Sequence, residues 1–342
     1  MTKLLRSLFD LTIRYSIILG IVIVLLCIPL FIENSYNLRI LIHVGIYVIL
    51  TSSLNLINGY TGLFSIGHAA FYGIGAYTSA LVVMRLGLPI WVGIPAAACM
   101  AACCGYLIAK PAIRLKGVFL ALVTLGFNMI VMLVFLNWTS LTRGPLGIAG
   151  IPAPSFQGKP FLTPVPYYYL ILVLDLAVIF CLARLVNSRF GRALKAIRED
   201  DNAADMCGVN LAYYKITAFA IAAFMAGIAG GFYSHYMRYV SPDAFSNLET
   251  FAIITMLAFG GPGNLIGPIV GSAVLVILTE VFRGFADYRM VIYGTLLILM
   301  MVFRREGLVG GKEYSLVLNW PRKKVKEYAT GDKFLASEEG DE

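Results

Sequence analysis

Residues 58–77 read Asn58-Gly-Tyr-Thr-Gly-Leu-Phe-Ser-Ile-Gly-His-Ala-Ala-Phe-Tyr-Gly-Ile-Gly-Ala-Tyr77, with glycines at 59, 62, 67, 73 and 75 and no Asp, Glu, Lys or Arg. Glycine at this density costs helix stability, but it lets backbones approach closely and lets a helix break where it lines a cavity. Two readings follow. One is tight helix packing. The other is an interrupted helix at which Thr61, Ser65 and His68, among Gly59, Gly62 and Gly67, border a substrate path. A second break, Gly260-Gly-Pro-Gly-Asn-Leu-Ile-Gly-Pro-Ile-Val-Gly271, brings Gly260, Gly261 and Gly263 between two more apolar runs and hints at a loose internal repeat.

The rest of the chain has the composition such helices need. Its 342 residues are 59% hydrophobic and 13% charged, and the mean hydropathy is +0.81, more apolar surface than a soluble core absorbs. Apolar runs at 15–33, 38–58, 63–84, 90–110, 117–138, 167–186, 214–238, 248–262, 266–284 and 288–303 predict an all-α polytopic membrane protein. About ten helices span the bilayer wholly or in part on this reading. The eighth run is short and glycine-bounded, which suits a re-entrant or half-spanning helix. The first, Ile17 to Ile32, is followed by Glu33 and Asn34 without a small-residue cleavage site and reads as a retained helix.

With both termini placed in the cytoplasm, 20 of the 27 Lys and Arg residues fall on that side, which supports the orientation and explains the net charge of +8 without nucleic acid. Residues 1–305 then form one transmembrane domain. Residues 306–342, with six basic and eight acidic side chains, read as a mobile cytoplasmic tail. The six cysteines form no CxxC pair and predict neither disulfide nor metal site.

Ionisable groups inside spans are costly, which singles out His43, Asp175 and Glu280. Asp175 reads as a bond to a neighbouring helix or, less simply, as a proton-coupling acid, and Asn128 as a polar link between helices. No catalytic motif is present. The nearest approach to a P-loop, Gly310-Gly-Lys312, has Glu306 in place of the first glycine and Glu313 after the lysine. The chain is therefore expected to be no enzyme and to bind no cofactor or metal.

Two segments outside the spans carry the remaining signals. Residues 139–166, rich in Pro and Gly, predict a turn-rich periplasmic loop without a helix. Residues 187–214 are the most charged internal segment and predict two short helices. Ser188 would cap the first and Asp200 or Asp201 the second, and Gly208 would stop it. An ordinary basic loop has this charge too, but Asn202-Ala-Ala-Asp-Met-Cys-Gly208 keeps small residues and a glycine at the spacing of a helix that enters a groove on a partner.

These residues resemble the LivM-type permease of ATP-binding-cassette importers for branched-chain amino acids. The resemblance lies in Gly59 to Tyr77, in Phe190-Gly-Arg-Ala-Leu-Lys-Ala-Ile-Arg-Glu-Asp200 with Ala203, Ala204 and Gly208-Val-Asn210, and in Gly260 to Pro268. It implies a second related permease subunit, two cytoplasmic ATPase subunits that use ATP, and a periplasmic substrate-binding protein, all at a bacterial inner membrane. It also implies that Arg192, Glu199, Asp200, Ala203, Ala204 and Gly208 lie at the ATPase-docking element. Many importers carry Glu-Ala-Ala followed by glycine there; this chain has Asn202 in place of that Glu. A sister permease for urea or short amides shares the motifs. An ion-coupled secondary transporter needs a buried charge network, for which the sequence offers Asp175 alone.

Overall fold

The computed structural model describes residues 23–29, 34–115, 117–156, 159–281 and 307–309, with isolated positions at 20, 291, 294, 295 and 298. The predicted span 288–303, most of the first span and the 310–342 tail lie outside the described residues.

Six helices among the described residues are long and apolar enough to cross a bilayer. They are α1 (Ser35–Asn55), which continues as a wider π turn over Leu56–Tyr60, α2 (His68–Leu86), α3 (Ile90–Ala112), α4 (Val118–Asn137), α6 (Pro164–Val186) and α9 (Leu211–Met237). The one-turn α5 (Thr139–Thr142), the polar α7 (Arg189–Glu199) and α8 (Asp201–Met206), and the shorter α10 (Asn247–Gly260) and α11 (Ile266–Val281) complete the order.

The centre of the bundle is α2, α3 and α9, and small residues let them close. A Cβ on Gly75 would lie 2.6 Å from the Cα of Gly227, and one on Gly227 would lie 2.7 Å from the Ala101 Cβ. Hydrocarbon tails are as apolar as leucine, so helices in lipid associate through close packing of this kind rather than through a hydrophobic drive. Around the centre, α1 packs against α6, α9, α10 and α11, and residues 23–29 are tied to α6 by hydroxyl bonds from Tyr168 and Tyr169 to the carbonyls of Leu25 and Leu26.

Three details differ from the sequence reading. The 139–166 segment contains a helical turn, α5, because Thr142 donates its hydroxyl to the carbonyls of Phe135 and Trp138 and so continues the end of α4. The same segment forms two short antiparallel pairs, Ile148–Ala149 with Tyr239–Val240 and Ser155–Phe156 with Lys159–Pro160. The third span starts at His68 rather than 63. Asn58 and Ser65 exchange two hydrogen bonds, and the Ile66 amide bonds the Thr124 hydroxyl at 2.9 Å, so residues 61–67 have no helical partners. Finally, Asp175 is buried against Gly45 of α1, and its Oδ1 has no hydrogen-bond partner.

Candidate functional site: a glycine junction beneath a capped helix pair

Local sequence builds the polar helix pair. Ser188 accepts from the amides of Phe190 and Gly191, and Asp200 accepts from those of Asn202 and Ala203, each satisfying donors that a helix start leaves orphaned. Gly208 ends the second helix at φ +81°, a conformation that costs an L side chain about 1–2 kcal/mol. Leu194, Ile197 and Ala204 are buried against the bundle. Arg192, Glu199, Asp200, Ala203 and Gly208 face outward, and Met206 is 91% exposed. An apolar side chain that open, between caps that fix its helix, suits insertion into a protein groove.

Two polar tethers join the pair to the spans. Lys215 of α9 grips both carboxylate oxygens of Asp201, at 2.7 and 2.8 Å, where solvent barely reaches. Arg198 sends its guanidinium to the carbonyl of Gly59, 2.8 Å away. A polar cleft of about 350 Å³, bordered by Thr61, Gly62, Arg198, Asp201 and Lys215, separates the two tethers.

At Gly59 the two glycine breaks meet. A Cβ there would collide with the Asn55 side chain and the Gly263 amide, so only glycine lets the loops cross. Asn55, buried in the last turn of α1, accepts from the Gly263 amide at 2.8 Å and donates to the Asn264 carbonyl at 2.7 Å. Gly261 and Gly263 take φ of +107° and +81° to make the turn. Residues 307–309 close the far side, where the amides of Leu308 and Val309 bond the carbonyls of Phe259 and Gly260 at the end of α10. The Gly260 Cα has no room for a side chain because α11 presses on it at Gly267.

The predicted path residues divide between the junction and a deeper layer. Gly59, Gly62, Gly260, Gly261 and Gly263 belong to the junction. Thr61 turns inward to the Leu56 carbonyl, and Ser65, Gly67 and His68 descend into the bundle, where His68 Nε2 bonds Ser53 at 2.7 Å. Asn128 links α4 to α10 through Asn247, as expected of a polar helix contact. Sequence reasoning missed Asn55, Arg198, Lys215 and Met206. Only Lys215, a charge one turn into an apolar helix, carried a local signal.

Gly208 separates conformation from space. Nothing lies within 4 Å of a Cβ built there, so Gly208→Trp should insert and assemble while its bulk blocks the outward face. If residues 187–214 dock a partner, as the resemblance implies, uptake by the complex falls about ten-fold in this variant with surface expression unchanged, and normal uptake would remove Gly208 from that role.

Among the described residues, six helices long and apolar enough to span, the shorter apolar α11 and a capped polar pair tethered to the glycine junction make a multi-pass membrane protein. The profile described as "Branched-chain amino acid transport system / permease component" matches residues 36–301, and the chain belongs to that family. It is 37% identical over 287 residues to the high-affinity branched-chain amino acid transport system permease protein LivM of Escherichia coli K12, covering 77% of this chain and 68% of that protein. It is 26% identical to the probable branched-chain amino acid permease LivM of Methanocaldococcus jannaschii, over 84% of this chain and 96% of the relative. The permease LivH of Escherichia coli K12 matches at 26%, over 79% and 93%. No solved structure matches.

Proposed function

We propose that this chain is one of two permease subunits of an ATP-binding-cassette importer in a bacterial inner membrane, carrying leucine, isoleucine and valine. Its partners are a related permease, two cytoplasmic ATPases and a periplasmic binding protein. Family membership supports the permease role. Similarity to both LivM and LivH supports the pairing, since the chain is related to both names.

The observation that carries the mechanism is the Arg198 bond to Gly59, which fastens the docking helix pair to the crossing of both glycine breaks. The ATPases bind the outward face of α7 and α8 through Arg192, Glu199, Asp200, Ala203, Met206 and Gly208. ATP binding shifts that pair, the Arg198 tether carries the shift to the Gly59–Gly263 crossing, and the Asp201 tether carries it to α9. There the positive-φ glycines act as hinge points, and the loop 61–67 and α10 move relative to α2. ATP is hydrolysed by the partners, and this chain supplies motion and passage.

Cargo is tested by uptake of radiolabelled leucine and urea into proteoliposomes holding the whole complex with ATP inside and binding protein outside. Leucine uptake is expected. Urea uptake without leucine would keep the machine and overturn the cargo.

A further inference from the structure

An apolar groove of about 470 Å³ lies between α6, α9 and α3. Leu174 and Leu185 mark its ends on α6, Ala220 and Ile228 mark them on α9, and Ala102 of α3 completes the wall. Small residues close one side of it. A Cβ on Gly105 of α3 would lie 2.5 Å from the Cβ of Ala223, so only glycine lets α3 and α9 meet there. By contrast, α6 meets α9 at few points, and Ala177 and Cys181 of α6 and Phe224 of α9 stay exposed at the rim. A void of this size forfeits the contacts its walls could make, so at bilayer depth something fills it. Water is a poor occupant, because the lining side chains offer no nitrogen or oxygen atom. A helix is too large: from Leu174 to Leu185 is about 16 Å, and a helix that long and 10–12 Å across takes roughly 1,300 Å³ or more. A single acyl chain is slim and flexible enough.

Two cations stand at one end of the groove. Lys110 lies in the last turn of α3 and Arg184 in the last turn of α6. The Ala220 Cα is level with Gly105, so Lys110 stands about 7–8 Å beyond the groove's end on α9. Helical spacing sets each cation on a line of groove residues: Ala102, Tyr106 and Lys110 at i, i+4 and i+8, and Ala177, Cys181 and Arg184 at i, i+4 and i+7. Each lies over an exposed aromatic ring, with the Lys110 Nζ 4.6 Å from the Tyr106 centroid and the Arg184 guanidinium carbon 5.5 Å from that of Phe180. Rings beneath long cationic side chains are the arrangement of a membrane interface, where the stem stays in the apolar layer and the charge reaches the headgroups. Both cations are exposed, and among the described residues neither has a carboxylate partner. A basic bias on one membrane face accounts for their sign, but not for their standing on either side of an apolar groove.

We propose that this groove holds one acyl chain of an anionic phospholipid whose phosphate lies between Lys110 and Arg184. The site is separate from the solute path and does not depend on which cargo is carried. The tail fills the gap between α6 and α9, and the ammonium and guanidinium take the phosphate by charge-assisted hydrogen bonds. α7 starts two residues after α6 ends, and it touches α9 through the rings of Phe190 and Tyr214, 5.3 Å apart. The bound tail therefore sets the spacing of the two helices from which the α7–α8 pair is hung.

The test reconstitutes the complete complex in bilayers with phosphatidylglycerol carrying a photoreactive diazirine in one acyl chain, and in parallel with phosphatidylcholine carrying the same group. Labelled peptides are then mapped. In the wild type, peptides holding residues 174–185 and 220–228 are expected to take about ten-fold more of the glycerol lipid than of the choline lipid. Lys110→Gln combined with Arg184→Gln is expected to cut that preference to about two-fold or less. Ala177→Phe, which fills the groove and leaves both charges, is expected to lower labelling of these peptides by either probe about five-fold or more, with labelling of the exposed α4 face unchanged. If the double variant does not insert, Ala177→Phe decides alone. Equal labelling by the two probes in the wild type overturns the site, since ordinary lipid around the bundle does the same. A preference that survives loss of both cations, or labelling unchanged in Ala177→Phe, also overturns it. So does a groove that neither probe labels, the mark of a protein segment seated there.

Discussion

Replacing Arg198 by alanine is expected to reduce ATP-dependent uptake about ten-fold or more while the complex still assembles and still hydrolyses ATP. The loss is one of transmission. Arg198 is largely exposed, so its bond to the Gly59 carbonyl adds only about 1 kcal/mol to the fold. That bond does, however, join the α7–α8 pair to the crossing of the two breaks, and the Asp201 tether runs instead to α9. Without it, a shift of α7 and α8 slides past the junction. Arg198→Lys is expected to restore little, because an ammonium on a flexible stem does not reproduce the planar fork. The decisive readout is the ratio of solute carried to ATP hydrolysed. A ratio unchanged in Arg198→Ala would show that the motion travels by another route.

Asn55→Leu is expected to act on stability. The substitution keeps the shape but strands the Gly263 amide and the Asn264 carbonyl in a buried site, each at about 1–3 kcal/mol. The expected result is an apparent Tm in detergent about 5–10 °C below wild type, with the largest loss of protection in backbone exchange around residues 261–265. A Tm within about 1 °C of wild type would mean the two loops are held by the Gly59 contact and by residues 307–309 without Asn55.

The sequence made the local structure legible and left the long-range contacts unread. The caps at Ser188 and Asp200 and the stop at Gly208 depend on residues two or three positions away, and they stand where side-chain chemistry predicts them. The glycine density at 59–75 signalled a break, and the break is there. Its length was misjudged because Leu63, Phe64 and Ile66 keep the apolar pattern of a span while Asn58 and Thr124 take the backbone bonds a helix needs. Arg198 reads as one more surface charge on a basic helix. Its partner is 139 residues earlier, and no periodicity connects them. The two breaks cross at Gly59 and Gly263, a contact between backbones that composition does not announce.

The measurement that tests the central claim most directly is leucine uptake by proteoliposomes in which components are omitted one at a time. The account predicts transport only when both permeases, the ATPases, internal ATP and the external binding protein are present together, and none from this chain alone under any ion gradient. Uptake by this chain alone, driven by a proton or sodium gradient, would contradict the account and turn attention to the buried, unpaired carboxylate oxygen of Asp175.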